Sequence, residues 1–185
     1  LLLGASLMNS MGLTATLVHM FNHGITKALL FMGAGILALK VGKVSYDNIA
    51  GLGKSMPLTA AAMVVGGLSL IGVPGTAGFI SKWLLIQAAF VNGWWHIALL
   101  IVVSSLLSVV YIWKLIETLY IAPNNKSGTK TEAPFSMLIP MWVLAFACLF
   151  FGVFTDITVG TAQTAAENLL NLTNSIHLTN LGDGS

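Results

Sequence analysis

Three titratable side chains follow one another at intervals of four residues near the start of the chain. They are His19, His23 and Lys27. Residues four apart lie on one face of an α-helix, so the three would form a ladder with steps of about 6 Å. An imidazole ring accepts a proton on one nitrogen and donates from the other, and it titrates near neutral pH. With water molecules between neighbouring groups, this spacing predicts a proton or ion path.

The histidine pair also has two simpler interpretations. Two histidines four residues apart can bind zinc, but no Glu, Asp or Cys lies close in sequence as a third ligand, so we predict no metal site and no cofactor. A single buried histidine usually just forms hydrogen bonds in a core. That second interpretation is less suited to two histidines and a lysine on one face, particularly if the helix lies in lipid.

The composition indicates lipid. The chain has 185 residues, of which 56% are hydrophobic and 8% charged, with a mean hydropathy of +0.88. A soluble domain is usually about 25% charged. These values exclude a soluble enzyme, a disordered tail and a nucleic-acid binder. The single cysteine, Cys148, excludes a disulfide framework and a cysteine-based metal site.

We predict an all-α, polytopic transmembrane helical bundle with about five spans, since a span needs about 20 apolar residues. Alternating spans would put the polar connections 41–56 and 122–135 on opposite faces, and the lysine counts of these connections do not decide the orientation. Residues 156–185 would form an amphipathic surface helix and a flexible tail. The spans lie within residues 1–155 and cover 14–39, 57–73, 76–92, 97–121 and 136–155.

Two lysines lie where a passive membrane anchor would not keep them. Lys27 is near the middle of the first span, and Lys82 is about seven residues into the third. A lysine at the bilayer centre costs roughly 2.5–3.5 kcal/mol on insertion scales, and ionisable residues there are functional by default. None of the six acids is central in a span, so we expect the partner acid to lie outside this fragment.

The backbone just before Lys82 is predicted to be irregular. Pro74, Gly75 and Gly78 interrupt helical hydrogen bonding, which predicts a broken helix near 72–78. Irregular backbone at membrane depth occurs only where it is buried in protein or lines a wet cavity, and transporters build ion sites there. The alternative is a tight turn between two spans at the interface.

Three segments resemble motifs of the antiporter-like subunits of Mrp-type cation/proton antiporters and respiratory complex I. Residues 19–35 resemble the H-x-x-x-H-x-x-x-K-A-L-L-F-x-x-A-G helix of these subunits. Residues 51–59 are similar to their G-L-x-K/R-x-M-P-x-T loop, and residues 72–82 to their G-x-P-x-x-x-G-F-x-S/G-K/E segment. Within the family, segments 80–85, 106–114 and 158–162 look most like the D-type subunit of Mrp antiporters. The resemblance covers the C-terminal part of a full family member.

The resemblance implies a proton or cation half-channel. It puts His19, His23 and Lys27 on a central hydrated axis and Lys82 at the exit half-channel. It also implies an N-terminal half with a matching glutamate and lysine, a cytoplasmic 122–135 loop, and other membrane subunits as partners. We expect a protein integral to the bacterial inner (plasma) membrane that moves protons and Na+ or K+.

Three hypotheses follow. The first is an antiporter subunit, similar to the D-type subunit of Mrp complexes, that couples proton flow to cation export. The second is a proton-pumping subunit of a complex I-type NADH:quinone oxidoreductase or a membrane-bound hydrogenase, which would carry no redox chemistry of its own because one cysteine cannot hold an iron–sulfur cluster. The third is a structural membrane module whose buried lysines are merely paired.

Overall fold

The computed structural model describes residues 9–42, 44–122 and 132–182, with side chains described as far as residue 171. This part of the chain is a bundle of α-helices without a strand, which confirms the predicted all-α fold. The helices, numbered here in chain order, are α1 (Ser10–Val41), α2 (Tyr46–Ile49), α3 (Leu52–Ser55), α4 (Pro57–Ile71), α5 (Ala77–Val91), α6 (Trp95–Tyr120), α7 (Phe135–Val153) and α8 (Thr155–Gly182).

Three of these helices, α1, α6 and α7, are long and apolar enough to cross a membrane. A fourth candidate is α4 together with the short helices before it, from which it is bent by 112°. Helix α5 is apolar but only 15 residues long. The polytopic helical bundle is thus confirmed, with three or four spans by length and composition where we expected about five.

Helix α1 is the long axis of the bundle and carries the predicted ladder. Its N-terminus is capped by the Asn9 side chain, whose Oδ1 accepts from the Gly12 amide at 2.6 Å. It ends at Val41 and is capped by Gly42, whose φ of 75° only glycine adopts freely. The helix has 32 residues and is therefore about 48 Å long, with Lys27 about halfway along it. Its buried face packs against α4, α5, α7 and α8.

The predicted break lies between α4 and α5. Helix α4 ends at Ile71 and is capped by Gly72, whose φ is 88°, and Gly75 has the same φ within the connection. The Thr76 hydroxyl donates to the Val73 carbonyl at 2.7 Å, which closes the turn. Helix α5 then begins at Ala77. Pro74 and Gly75 therefore lie in the break itself, whereas Gly78 is the second residue of the following helix.

Helices α4 and α5 run in the same direction, as two halves of one interrupted helix. Along the returning helix α6, a Cβ on Gly53 would lie 2.8 Å from the Leu119 carbonyl oxygen, and a Cβ on Gly67 would lie 2.8 Å from the Ile112 side chain. Further along, the Lys82 ammonium binds Ser105 at 2.9 Å. The contacts of α3, α4 and α5 thus fall at successively lower residue numbers of α6. Helices α4 and α5 therefore both run antiparallel to α6.

This arrangement changes the predicted topology. Because α4 and α5 together cross the bundle once, the connections at either end of the α4–α6 unit meet at the same end. The Gly51 amide donates to the Thr118 carbonyl at 2.9 Å, and the Glu132 carboxylate accepts from the Thr59 hydroxyl at 2.8 Å. The prediction that 41–56 and 122–135 lie on opposite faces was therefore wrong for the described residues of the two connections. The prediction treated α4 and α5 as two separate spans, whereas the two 15-residue helices together make one crossing.

The last described helix packs on the first half of α1. Phe151, at the end of α7, lies edge-on to Phe21 with ring centroids 5.0 Å apart. Helix α8 covers the adjoining groove and buries Ala162 and Ala166, which are one turn apart, while its other described faces are largely exposed. The prediction for 156–185 was a surface helix followed by a flexible tail that begins near residue 175; the helix instead continues to Gly182, and residues 183–185 lie outside the described residues.

Candidate functional site

All four predicted path residues line one cavity of about 240 Å³ between α1, α4, α5 and α6. The cavity brings the ladder of α1 next to Lys82 of α5, although 55 residues separate Lys82 from Lys27 in sequence. Hydroxyl groups complete the wall. The lining residues are His19, Asn22, His23, Thr26, Lys27, Ser69, Leu70, Gly78, Ser81, Lys82, Ser104, Ser108 and Tyr111.

The two histidine rings contact each other, and His19 also contacts α5. Their rings are stacked with centroids 5.5 Å apart. The Nδ1 atom of His19 lies 3.0 Å from the Ser81 hydroxyl, and that hydroxyl in turn donates to the Gly78 carbonyl at 3.1 Å. Ser81 is the residue next to Lys82, so a hydrogen bond connects the histidine end of the ladder to α5.

Lys27 lies at the other end of the ladder. Its ammonium is 5.7 Å from the centre of the Phe31 ring, close enough for a cation–π attraction. Within the ranges that the structure describes, neither Lys27 nor Lys82 forms a salt bridge. A half-buried cation in a membrane-spanning helix needs a counter-charge or polar partners. Lys27 lines the polar cavity, and its ammonium faces the Phe31 ring.

Lys82 has a complete set of hydrogen-bond acceptors without a carboxylate. Its ammonium donates to the carbonyl oxygens of Leu70 and Ile71, each at 2.8 Å, and to the Ser105 hydroxyl at 2.9 Å. The two carbonyls belong to the last turn of α4, which is the negative end of that helix's dipole. An ammonium has three N–H donors, so all three are satisfied. The broken helix therefore provides the negative partner that the sequence lacks in its spans.

Close packing at the break requires glycine at two positions. A Cβ on Gly78 would collide with the Ser69 carbonyl oxygen, and a Cβ on Gly152 would collide with the backbone of Gly75 and Thr76. Gly78 thus allows α5 to begin directly beside the end of α4. Gly152 lets α7 pack against the connection, and its role could not be deduced from sequence because it lies more than 70 residues away from the break.

A polar layer beneath the ladder ties α1 to the broken helix. Asn22 is fully buried and donates from Nδ2 to the Ala77 carbonyl at 2.8 Å, while its Oδ1 has no partner in the described part of the chain. The Thr26 hydroxyl lies 2.9 Å from that of Ser69. Asn22 and Thr26 flank the ladder in sequence and could be suspected from their spacing. Sequence reasoning missed Ser69, Ser81 and Ser105, since serine is common in membrane helices.

Comparisons with known proteins agree with this architecture. A family model described as "NADH:quinone oxidoreductase/Mrp antiporter, TM" matches residues 1–108. NADH-quinone oxidoreductase subunit N of Desulforudis audaxviator is 34% identical over 169 residues, covering 84% of this chain and 34% of that protein. F(420)H(2) dehydrogenase subunit L of Methanosarcina mazei is 36% identical over 168 residues, covering 84% of this chain and 25% of that protein.

A solved structure supports the fold independently of sequence identity. A chain of the Mrp complex from Dietzia sp. superposes with a TM-score of 0.83 at 24% identity, covering 94% of this chain and 41% of that chain. The chain therefore spans between a quarter and two fifths of the length of these proteins. Since the family model covers more than half of its residues, the chain belongs to the NADH:quinone oxidoreductase/Mrp antiporter transmembrane family and is an integral membrane protein.

Proposed function

We propose that this chain is the proton-conducting part of a proton-translocating subunit in a multisubunit membrane complex. The observation that carries the proposal is the single cavity of about 240 Å³ that joins His19, His23, Lys27 and Lys82. Four titratable side chains in apolar helices cost insertion energy, and grouping them around one polar cavity is the arrangement expected of a proton relay.

In the proposed mechanism, protons pass along the ladder and reach α5 at Ser81. His19 and His23 exchange protons with Lys27 through water in the cavity. The hydrogen bond of 3.0 Å between His19 and Ser81 leads toward Lys82. When Lys82 loses its proton it keeps two N–H donors for three acceptors, so it can no longer donate to all of them. Protonation of Lys82 is thereby coupled to the contact between α4 and α5.

The distribution of lysines supports a cytoplasmic assignment for the end where 41–56 and 122–135 meet. Lys40, Lys54 and Lys114 lie near described helix ends on that side, whereas segment 92–94, at the opposite end, contains no lysine. Lysine excess marks the cytoplasmic side of membrane proteins. This agrees with the orientation that the motif resemblance implies, and we propose the bacterial inner (plasma) membrane as the location.

The first candidate assembly is an Mrp-type antiporter, in which this chain would be the equivalent of part of the D-type subunit. Its motifs and the fold similarity to a chain of the Dietzia Mrp complex favour this assembly. Proton entry through the cavity would then drive export of Na+ or K+ by the complex, with other membrane subunits as partners.

The second candidate assembly is a proton-pumping redox complex of the complex I type or a membrane-bound hydrogenase. Two relatives of the chain favour this assembly, since they are named as subunits of an NADH-quinone oxidoreductase and of an F(420)H(2) dehydrogenase. In that assembly this chain would move protons while other subunits carry the redox centres.

Proton flux through the full-length protein in its complex, reconstituted in liposomes with a pH-sensitive dye, tests the proposal. Lys27→Ala and Lys82→Ala are expected to abolish flux while the complex still assembles. Lys114→Ala is the matched control, because its side chain is 59% exposed and its one salt bridge within the described residues is with Glu117 at 3.3 Å. Unchanged flux in Lys27→Met and Lys82→Met would support a structural module instead. A flux driven by a Na+ or K+ gradient identifies the first assembly, and one driven by quinone reduction identifies the second.

A further inference from the structure

Helix α4, the first half of the broken helix, is capped at its N-terminus by a distant carboxylate. Glu132 accepts from the Leu58 amide at 3.2 Å and from the Thr59 amide at 3.3 Å, and it also accepts from the Thr59 hydroxyl at 2.8 Å. The helix's own cap residue, Met56, makes no side-chain hydrogen bond to it. Glu132 thus takes the place of a local N-cap, from 73 residues further along the chain.

The C-terminus of the same helix contacts the Lys82 ammonium of α5, so a charged group lies at each end of α4. The ammonium binds the carbonyls of Leu70 and Ile71 at the C-terminus, and the carboxylate of Glu132 binds the amides at the N-terminus. Both charges have the sign that the helix dipole favours. With 15 residues, α4 holds the two charged groups about 21 Å apart along its axis.

Both charged contacts also depend on the segment that runs from α6 to α7. Ser105 of α6 supplies the third acceptor of Lys82 at 2.9 Å. The Thr118 carbonyl near the end of α6 accepts from the Gly51 amide at 2.9 Å, and Glu132 follows in the connection to α7. Helix α4 is therefore held at both ends against the same neighbouring segment, and a shift along its axis would strain both contacts together.

We propose that Glu132 is a positioning residue for Lys82 and acts through α4. Its carboxylate fixes the position of α4 along the helix axis, so that the Leu70 and Ile71 carbonyls remain within hydrogen-bond distance of the ammonium. Its negative charge also adds to the helix dipole that stabilises the protonated lysine. The consequence for transport rests on the proposed proton path, whereas the link between Glu132 and Lys82 can be measured without transport.

Amine reactivity of Lys82 measures that link directly. The full-length complex is labelled with trace acetic anhydride at fixed pH, and mass spectrometry gives the acetylation rate of each lysine. Glu132→Gln keeps the shape of the side chain but not its charge. At an effective dielectric constant of about 20, a unit charge about 21 Å away changes the protonation equilibrium of the ammonium about fourfold, so we expect Lys82 to acetylate about two to five times faster. Glu132→Asp should restore the wild-type rate in part. Glu117→Gln is the matched control, since that acid lies on α6 in a solvent-exposed pair, and it should leave Lys82 unchanged.

Hydrogen exchange separates positioning from simple capping. The amides of Leu58 and Thr59 should exchange faster in Glu132→Gln under either interpretation. Faster exchange there with an unchanged Lys82 acetylation rate overturns the proposal, because Glu132 would then only cap the helix. If Glu132→Gln does not assemble, Thr59→Ala removes one of the three bonds and should raise the Lys82 rate by a smaller factor; no change in that variant overturns it as well.

Transport provides the functional readout. In Glu132→Gln the midpoint of the pH profile of proton flux should shift by the logarithm of the fold-change in the acetylation rate. The amount of assembled complex should stay the same. A changed acetylation rate with no flux even in the wild type would refute the proposed function and leave the Glu132–Lys82 link in place. A shifted acetylation rate with an unshifted pH profile would refute the transport consequence.

Discussion

Gly78→Ala is the substitution for which the structure predicts the largest effect from the smallest change. The added methyl group would collide with the Ser69 carbonyl oxygen, and it would also lie 2.8 Å from the carbonyl carbon of that residue. Both atoms are backbone in the last turn of α4, so they cannot rotate away as a side chain would. Helix α5 must therefore move off α4.

The displacement acts on Lys82, which is one turn beyond Gly78. Its bonds to the Leu70 and Ile71 carbonyls are 2.8 Å long, so a movement of about 1 Å takes both beyond hydrogen-bond distance. Overpacking of this kind costs typically about 1–3 kcal/mol of stability, and a misplacement of about 1 Å at a reacting group can reduce a rate about 100-fold. We therefore expect a complex that assembles with a modest loss of thermal stability and loses most of its proton flux.

Gly35→Ala is the matched control, because it adds the same methyl group to a helix of the same bundle where no atom lies within 4 Å. Flux in reconstituted liposomes and the thermal unfolding midpoint are measured for both variants. The reasoning would be refuted by wild-type flux in Gly78→Ala, or by an equal loss in the two variants.

Three further predictions concern the polar and apolar contacts around the cavity. Asn22→Leu removes the bond to the Ala77 carbonyl and should lower the unfolding free energy by about 1–3 kcal/mol in a thermal or denaturant titration; no loss would mean that the carbonyl finds another donor. Ser105→Ala takes away one of the three acceptors of Lys82, and we expect reduced but measurable proton flux, against the complete loss in Lys82→Ala. Gly33→Val should destabilise the core by about 1–3 kcal/mol, because two methionine side chains already occupy the space of a Cβ, and an unchanged unfolding midpoint would contradict this packing.

Local periodicity was sufficient to predict the ladder. His19, His23 and Lys27 lie on one helix, where the spacing alone determines which residues share a face. The break near 72–78 was predictable for the same reason, since proline and glycine act on the backbone where they stand. That these residues carry protons remains a prediction.

Partners that are distant in sequence were beyond local reasoning. The carbonyls bound by Lys82 belong to a helix end that has to be brought back onto α5, and its third acceptor, Ser105, comes from another helix. Glu132 lies within the polar connection predicted at 122–135, and only the tertiary structure brings its carboxylate to the N-terminus of α4. Periodicity carries no information about such contacts, because they depend on how whole helices pack.

The sequence by itself determined that this chain lies in a membrane, that it is helical, and which few polar residues it keeps there, because apolar composition and helical spacing are local properties. The tertiary structure decided how many times the chain crosses and which charges meet. The two 15-residue helices α4 and α5 could equally have been a hairpin or one broken helix, and only their antiparallel packing along α6 selects the broken helix. That choice brings Lys82 to the interior of the bundle beside the carbonyl end of α4, where the backbone supplies the negative partner that no acid in the spans provides.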